Sequence, residues 1–577
     1  MIVVVGGLLG LIVIVAIAGL IHGLQLEHRL KTLPATLRSV TTEAESGKLA
    51  EAQGNLARAE RTLTSVNSAL YNDLDFEVLN VLPVARQNLH AIRAGVQLGL
   101  QMVGGGEEVL QAASPLETSG QLSVPLQQGQ LPLQTVEAVQ SAVENVAGML
   151  PDAPSPPGGS LLLSPVRSAV GKVYQEARKR QAELQSVAAG LRLAEDISGA
   201  RGDKRYLIAV ANSAEMRGSG GMILSYGVLT SHAGKVTLVN VGPIDEISLT
   251  SPESAVSFPA DFMKTYGGFA PTADWRNVNM MSDFTVDAPV MAAMYEHTTG
   301  QHADGVIQTD SAGLAAILAG VGPVATRMLG TVTAGNAVAL TLSTAYALYP
   351  GRASRQDYTG DLAQAAFQKL TTGRFTSLKP LGTALVDASK QRHVLMYVGD
   401  PTDETAIRIL GFDGALPTPG AGVTQLTVQN FGANKLDYYL ESTITLGGRK
   451  PTVTGSVMTA TIDLVNTAPA GRVVPQEVFG PFLPGEIAGE YYGLVTLYVP
   501  PGSFLKGSTP DVSLTTDPTM ASQNGLSTVS YTVAIPAGSA SHVALQIYVP
   551  PTPAGLRQLR FIPAPRVIPT RFVDRLS

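Results

Sequence analysis

The 577-residue chain contains no cysteine. Disulfides and thiolate metal sites are therefore excluded. Charge is scarce too: Asp, Glu, Lys and Arg make up 15% of the residues and the net charge is −6, so no basic surplus points to a nucleic acid. Eight histidines are scattered without a metal-ligand spacing such as HExxH. Neither GxxxxGK[ST] nor GxSxG occurs, so the chain has neither the phosphate loop of NTPases nor the nucleophile elbow of hydrolases. Glycine (59) and proline (37) are plentiful, which suits β-rich, turn-rich domains. The length allows three or four of them.

One long apolar run is present. Residues 2–21 carry no charge, and the next charged residue is Glu27. At about 1.5 Å per residue such a run spans a bilayer core, and it exceeds the apolar core of a signal peptide. The expectation is a retained transmembrane anchor over residues 1–25 and a cell-membrane location. Arg29, Lys31 and Arg38 follow the run, which by the positive-inside rule places the body inside. Long domains translocate largely regardless of charge, and the low charge and β-rich C-terminal part favour an extracytoplasmic body.

Residues 26–200 read as a helical stalk or bundle. KLAEAQGNLARAERTLTSVNSAL has heptad-like apolar spacing, residues 151–160 (PDAPSPPGGS) form a linker, and Ser164-Pro165 opens a helix with Ser164 as cap. Arg201-Gly202-Asp203 matches a cell-adhesion tripeptide, too short to weigh. Residues 201–412 alternate strands and helices, as an α/β domain with a mixed sheet. A hairpin turns at Ala233-Gly234, Ser282 caps a helix ending at Gly300, and Asp400-Pro401 caps one closing at Gly411. Residues 413–577 switch to period two (YLESTITLGG, SVMTATIDLVN, GLVTLYVP), which predicts a β-sandwich. Its basic tail, LRQLRFIPAPRVIPTRFVDRLS, reads as solvated or as facing an anionic wall polymer. The fold class is thus multidomain α+β.

The most site-like stretch is RYLIAVANSAEMRGSGGMILSYG. A strand delivers Asn212, Glu215 and Arg217 to the turn Gly218-Ser219-Gly220-Gly221. Glycines allow close approach of a ligand, and turn N–H groups with an arginine suit phosphate. Arg276, Arg352 and Arg355 also fall near loops or element ends, and Glu215, Asp245 and Asp274 could offer oxygen to a divalent ion. Trp275 either packs its loop or faces a sugar or prenyl chain. The apolar face with Met280, Met281, Met291 and Met294 is either core or the lining of a lipid groove.

NSAEMRGSGGMILSYGVLT, the run from DWRNVNMMSDF to LAGVGPV, and YYLESTITL resemble the membrane-anchored bacterial proteins catalogued as domain of unknown function 4012. The order of motifs is more distantly similar to the LytR-CpsA-Psr phosphotransferases, which move glycopolymers from a polyprenyl-pyrophosphate carrier to peptidoglycan. That resemblance implies catalytic roles for Arg217, Asp245 and Arg276. It implies substrate contacts from Asn212, Glu215, Gly220, Gly221, Asn279, Arg352, Arg355 and Gln356, and Mg²⁺ with Asp245 as its ligand. Two departures stand out. Gly220 replaces the acid of the first motif, and Ile244 replaces the arginine of the second. Two readings follow: a cell-envelope protein that binds a polyprenyl-(pyro)phosphate-linked glycan and transfers the glycopolymer, or a non-catalytic envelope assembly or glycan/lipid-binding protein with a degenerate transferase-like domain. The partners implied are a lipid-linked glycan or wall polymer, the membrane and other envelope proteins, not nucleic acid.

Overall fold

A computed structural model describes residues 33–46, 48–72, 81–118, 121–122, 130–150, 161–253, 256–349, 351–372, 379–417, 422–472, 474–551 and 559–576; for residues 34, 45, 117–118, 121–122, 352–356 and 379 it describes the backbone alone. They divide into two compact units. The first comprises Met1–Asp203, Ser231–Val236 and Thr371–Pro380; the second comprises Lys204–Thr230, Thr237–Leu370 and Leu381–Ser577.

The first unit is built on α1 (Leu33–Glu45), α2 (Leu49–Asn72), α3 (Pro83–Ala113), α4 (Leu133–Met149) and α5 (Ser164–Ile197). On α2, Leu49, Ala52, Leu56, Ala59, Leu63, Val66 and Leu70 are buried, the three- and four-residue steps that form one face of a helix. They share a core with Val96, Val109, Val143 and Val170. Gly105 lets α3 approach α4 closely: a Cβ there would sit 2.6 Å from a Val146 methyl. The cap of α5 is Leu163, which supplies no side-chain bond, with Pro165 in the first turn. Ser164 is therefore the first helical residue, not the expected cap.

The second unit begins with β1 (Lys204–Met216), β2 (Gly221–His232) and β3 (Lys235–Pro243), apart from the hairpin end Ser231–Val236, then α6 (Ala260–Tyr266), α7 (Phe284–Thr299), β4 (Gly305–Thr309) and α8 (Ser311–Val321). It continues with α9 (Arg352–Thr372), α10 (Lys379–Lys390), β5 (Val394–Val398) and α11 (Pro401–Leu410). The sheet order is β3-β2-β1-β4-β5. β1 pairs parallel with β4, and β4 pairs antiparallel with β5, so the sheet is mixed. The β2–β3 turn places Ala233 and Gly234 at φ 46° and 89°, the left-handed pair of a tight hairpin. Asp283, one residue beyond the expected Ser282, caps α7 by accepting from Thr285 N. Gly300 at φ 67° ends that helix, and Asp400 and Gly411 bracket α11.

The chain then forms β6 (Val423–Asn430), β7 (Leu440–Pro451), β8 (Ser456–Asn466), β9 (Tyr491–Val499), β10 (Phe504–Ser508), β11 (Thr519–Gln523), β12 (Leu526–Ile535), β13 (Ala540–Val549), β14 (Arg560–Ile562) and β15 (Arg571–Asp574). Two five-stranded sheets, β11-β12-β9-β6-β14 and β10-β13-β8-β7-β15, enclose one core that includes Leu426, Ile444, Ile462, Val495, Tyr531 and Leu545. The basic tail is not a loose end. β14 pairs parallel with β6, and β15 with β7.

The fold is multidomain α+β with mixed sheets, and the expected transmembrane helix is corrected. Among the described residues no helix is long and apolar enough to cross a membrane. The run at residues 2–21 that suggested one lies outside the described residues.

Candidate functional site

The glycine-rich turn joins β1 to β2. Arg217 N donates to Gly220 O (2.6 Å), which closes the turn, and Ser219 N donates to Asn279 O (3.1 Å). Three of the turn's glycines pack tightly against protein. A Cβ on Gly221 would overlap the Asn212 carbonyl, one on Gly218 would overlap the backbone at Met280 and Met281, and one on Gly220 would lie 2.6 Å from Gln308 Nε2. The glycines serve close approach of chain to chain, in place of the ligand approach expected from sequence.

Arg217 is 7% exposed. Its Nη1 donates to Asn430 O (2.7 Å) and Met216 O (3.0 Å), and its Nε donates to Asn277 Oδ1 (3.2 Å). Burial lowers its pKa to about 10 despite the opposing charges of Asp437 and Asp274. The guanidinium thus ties the turn to the end of β6. Asp437 continues the connection. It accepts from Met216 N (3.0 Å), Asn430 Nδ2 (3.1 Å), the Tyr491 hydroxyl (3.0 Å) and Arg566 Nη1 (3.3 Å). Arg566 belongs to the tail expected to be solvated, yet it is 1% exposed and also donates to Leu440 O (3.0 Å).

The other predicted residues are likewise committed. Glu215 is buried in contact with Lys435 Nζ. Asn212 donates to the Tyr346 hydroxyl (3.1 Å) and accepts from Ala214 N (3.0 Å). Asn279 Nδ2 donates to Gly221 O (2.8 Å), and Gln308 Nε2 donates to Ser219 O (2.9 Å). Ser219 Oγ donates to the fully buried Asp287 (2.6 Å), whose pKa burial pushes well above the usual carboxylate range. Arg276 is exposed and forms a two-point pair with Asp274, at 2.8 and 2.7 Å. That hydrogen bonding raises the arginine's pKa. Trp275 is buried and donates to Ile247 O (2.8 Å), so it packs its loop. Met280, Met281, Met291 and Met294 lie in the core around α7 and line no groove.

Asp245 is exposed on the short 3-10 turn Ile244–Ile247. Among the described residues no group of three or more His, Asp or Glu side chains is placed to hold a metal ion. With Glu215 against an amine, the oxygen donors offered by the sequence do not fit a Mg²⁺ ion. The side chains of Arg352, Arg355 and Gln356 lie outside what is described. Arg276 is near enough that its charge helps lower the Arg217 pKa, but Arg217 is buried with its Nη1 on backbone carbonyls, while Arg276 is exposed on its own carboxylate.

Sequence reasoning missed Lys435, Asp437, Arg566, Asp287 and His393. His393 Nδ1 lies 2.8 Å from Asp310 Oδ2, whose other oxygen caps α8 at Ala312 N and Gly313 N (2.9 Å each). Burial opposes the imidazolium, but the charge and hydrogen bond of Asp310 prevail and raise its pKa. The first three lie in the connections between strands, Lys435 and Asp437 before β7 and Arg566 between β14 and β15, where a charge ordinarily reads as solvated, so local patterning carried no signal for them.

Residues 201–346 match the model of a family described as a protein of unknown function (DUF4012). No curated protein and no solved structure matches the chain.

Proposed function

We propose that this protein is a non-catalytic cell-envelope assembly protein that engages a glycan or lipid-linked partner without turning it over. The observation that supports this reading most is the state of Arg217. A phosphate-clamping arginine needs free N–H groups aimed at solvent or ligand. Arg217 instead spends its Nη1 on two backbone carbonyls inside the protein. The packing of Gly218 and Gly221 against backbone leaves no cradle beside it. A transferase would also need a cluster of cations around a pyrophosphate, and Arg276 already holds Asp274. The envelope setting follows the resemblance of the turn and its flanking strands to bacterial envelope proteins.

The test uses the full chain with a polyprenyl-pyrophosphate-linked glycan and peptidoglycan. No transfer product is expected. Arg217→Lys is expected to lower the melting temperature while leaving binding of the lipid-linked glycan unchanged. Transfer by the wild type, lost in a folded Arg217→Lys variant, would overturn the reading.

A further inference from the structure

Glu215 and Lys435 are 220 positions apart, yet Lys435 Nζ is in direct contact with Glu215 Oε1. Both are buried, at 3% and 6% exposure. The ring of Tyr346 covers the amine, its centroid 4.6 Å from Nζ, and Asn212 holds the tyrosine hydroxyl at 3.1 Å. The backbone at both ends is fixed. Met216 N donates to Asp437 Oδ2 (3.0 Å), and Lys435 N donates to Val478 O (3.0 Å). Burial pulls the amine pKa down to about 7, against the charge of Glu477.

A dry site disfavours a separated ammonium and carboxylate. Moving one proton along the contact turns the ion pair into a neutral amine and a neutral carboxylic acid. A neutral, desolvated lysine is a nucleophile, and the fold holds it against the carboxyl group, which replaces a chance encounter with a fixed one. We infer that Lys435 and Glu215 condense into an intramolecular isopeptide cross-link. The Nζ lone pair attacks Glu215 Cδ and a C–N bond forms. The C–O bond to the hydroxyl breaks, and the hydroxyl leaves with an Nζ proton as one water. No oxidant, reductant or cofactor is consumed. The amide ties the last turn of β1 to the segment before β7, a covalent staple in a chain that has no cysteine for one. The inference does not depend on whether the protein turns over a ligand.

Mass spectrometry of the denatured full chain tests it. The expected mass is about 18 Da below that of the sequence, the loss of one water. Tryptic digestion is expected to yield residues 206–217 joined to residues 409–449. Lys435→Arg keeps the positive charge but presents a poor nucleophile, and is expected to show the full sequence mass with no joined peptide. Wild-type protein at full sequence mass would overturn the inference. So would a deficit of 18 Da with the two peptides recovered unlinked, and so would a joined peptide that persists in Lys435→Arg. If that variant fails to fold, the wild-type measurements decide alone.

Discussion

Asp287 sits on α7 with one oxygen on the Ser219 hydroxyl and the other without a hydrogen-bond partner. It is wholly buried, and desolvation is the first cause of its raised pKa; Ser219 and Arg392 oppose it less strongly, while Asp283 reinforces it. The folded protein therefore keeps this proton at pH values where the unfolded chain, with a carboxyl pKa of about 3.9, has released it. Stability from this group falls as pH rises above about 4 and continues to fall until the folded pKa is reached. Asn has the shape of the neutral acid and nothing to ionise. Asp287→Asn is expected to be more stable than wild type at pH 7 in urea unfolding, with a shallower decline between pH 4 and pH 7. A less stable variant with an unchanged decline would show that the carboxyl is ionised in place. Nothing in the sequence marks Asp287: it reads as an ordinary acid in the first turn of a helix, and only the fold brings Ser219 to it. Arg217 was legible as a special residue, but not its role, because the carbonyl it binds, Asn430 O, is 213 positions away.

The β1–β2–β3 pattern was legible as secondary structure. The apolar runs, the glycine turn between β1 and β2 and the Ala233-Gly234 hairpin between β2 and β3 appear where local patterning puts them. Helix ends followed the same logic at Gly300 and Gly411. What patterning could not convey is which partner the glycines accommodate, because a tight turn facing phosphate and one facing backbone use the same residues. The structure separates them by contact. At Gly221 the obstacle is the Asn212 carbonyl and at Gly218 the Met280–Met281 backbone; at Gly220 it is the movable end of Gln308. Gly221→Ala and Gly218→Ala are each expected to cost about 3 kcal/mol or more, since backbone must shift. Gly220→Ala is expected to cost about 1 kcal/mol, the loss of the Gln308–Ser219 hydrogen bond. Chemical denaturation of the three variants checks the order. Equal, small losses would mean that the turn is open enough to admit a ligand. The tail was misread for a related reason. Five arginines in a proline-rich run look solvated, whereas β14 and β15 each complete a sheet and Arg566 is buried between them in sequence, on Asp437.

At the scale of the whole molecule, the change of period near residue 413 marks a change of architecture but not a place where the chain can be cut without loss to both sides. Glu215 and Arg217 come from the mixed-sheet part, and Asn430, Lys435, Asp437 and Arg566 from the β-rich part. Both parts belong to the second compact unit. Removing one side would leave buried charges and carbonyls without partners, and breaking a buried pair typically costs about 3–5 kcal/mol. Several such losses together approach or exceed the net stability of a domain, about 5–15 kcal/mol. Residues 204–412 expressed alone are therefore expected to fail to fold, with poorly dispersed amide signals and rapid hydrogen exchange. The β-rich residues 413–577, which keep Asp437, Arg566 and Tyr491 together, are expected to fold but with a lowered melting temperature, because Lys435 loses Glu215. If residues 204–412 instead fold independently with slow-exchanging amides in β1, the buried connection through Arg217 is dispensable, and its guanidinium becomes available to a ligand after all.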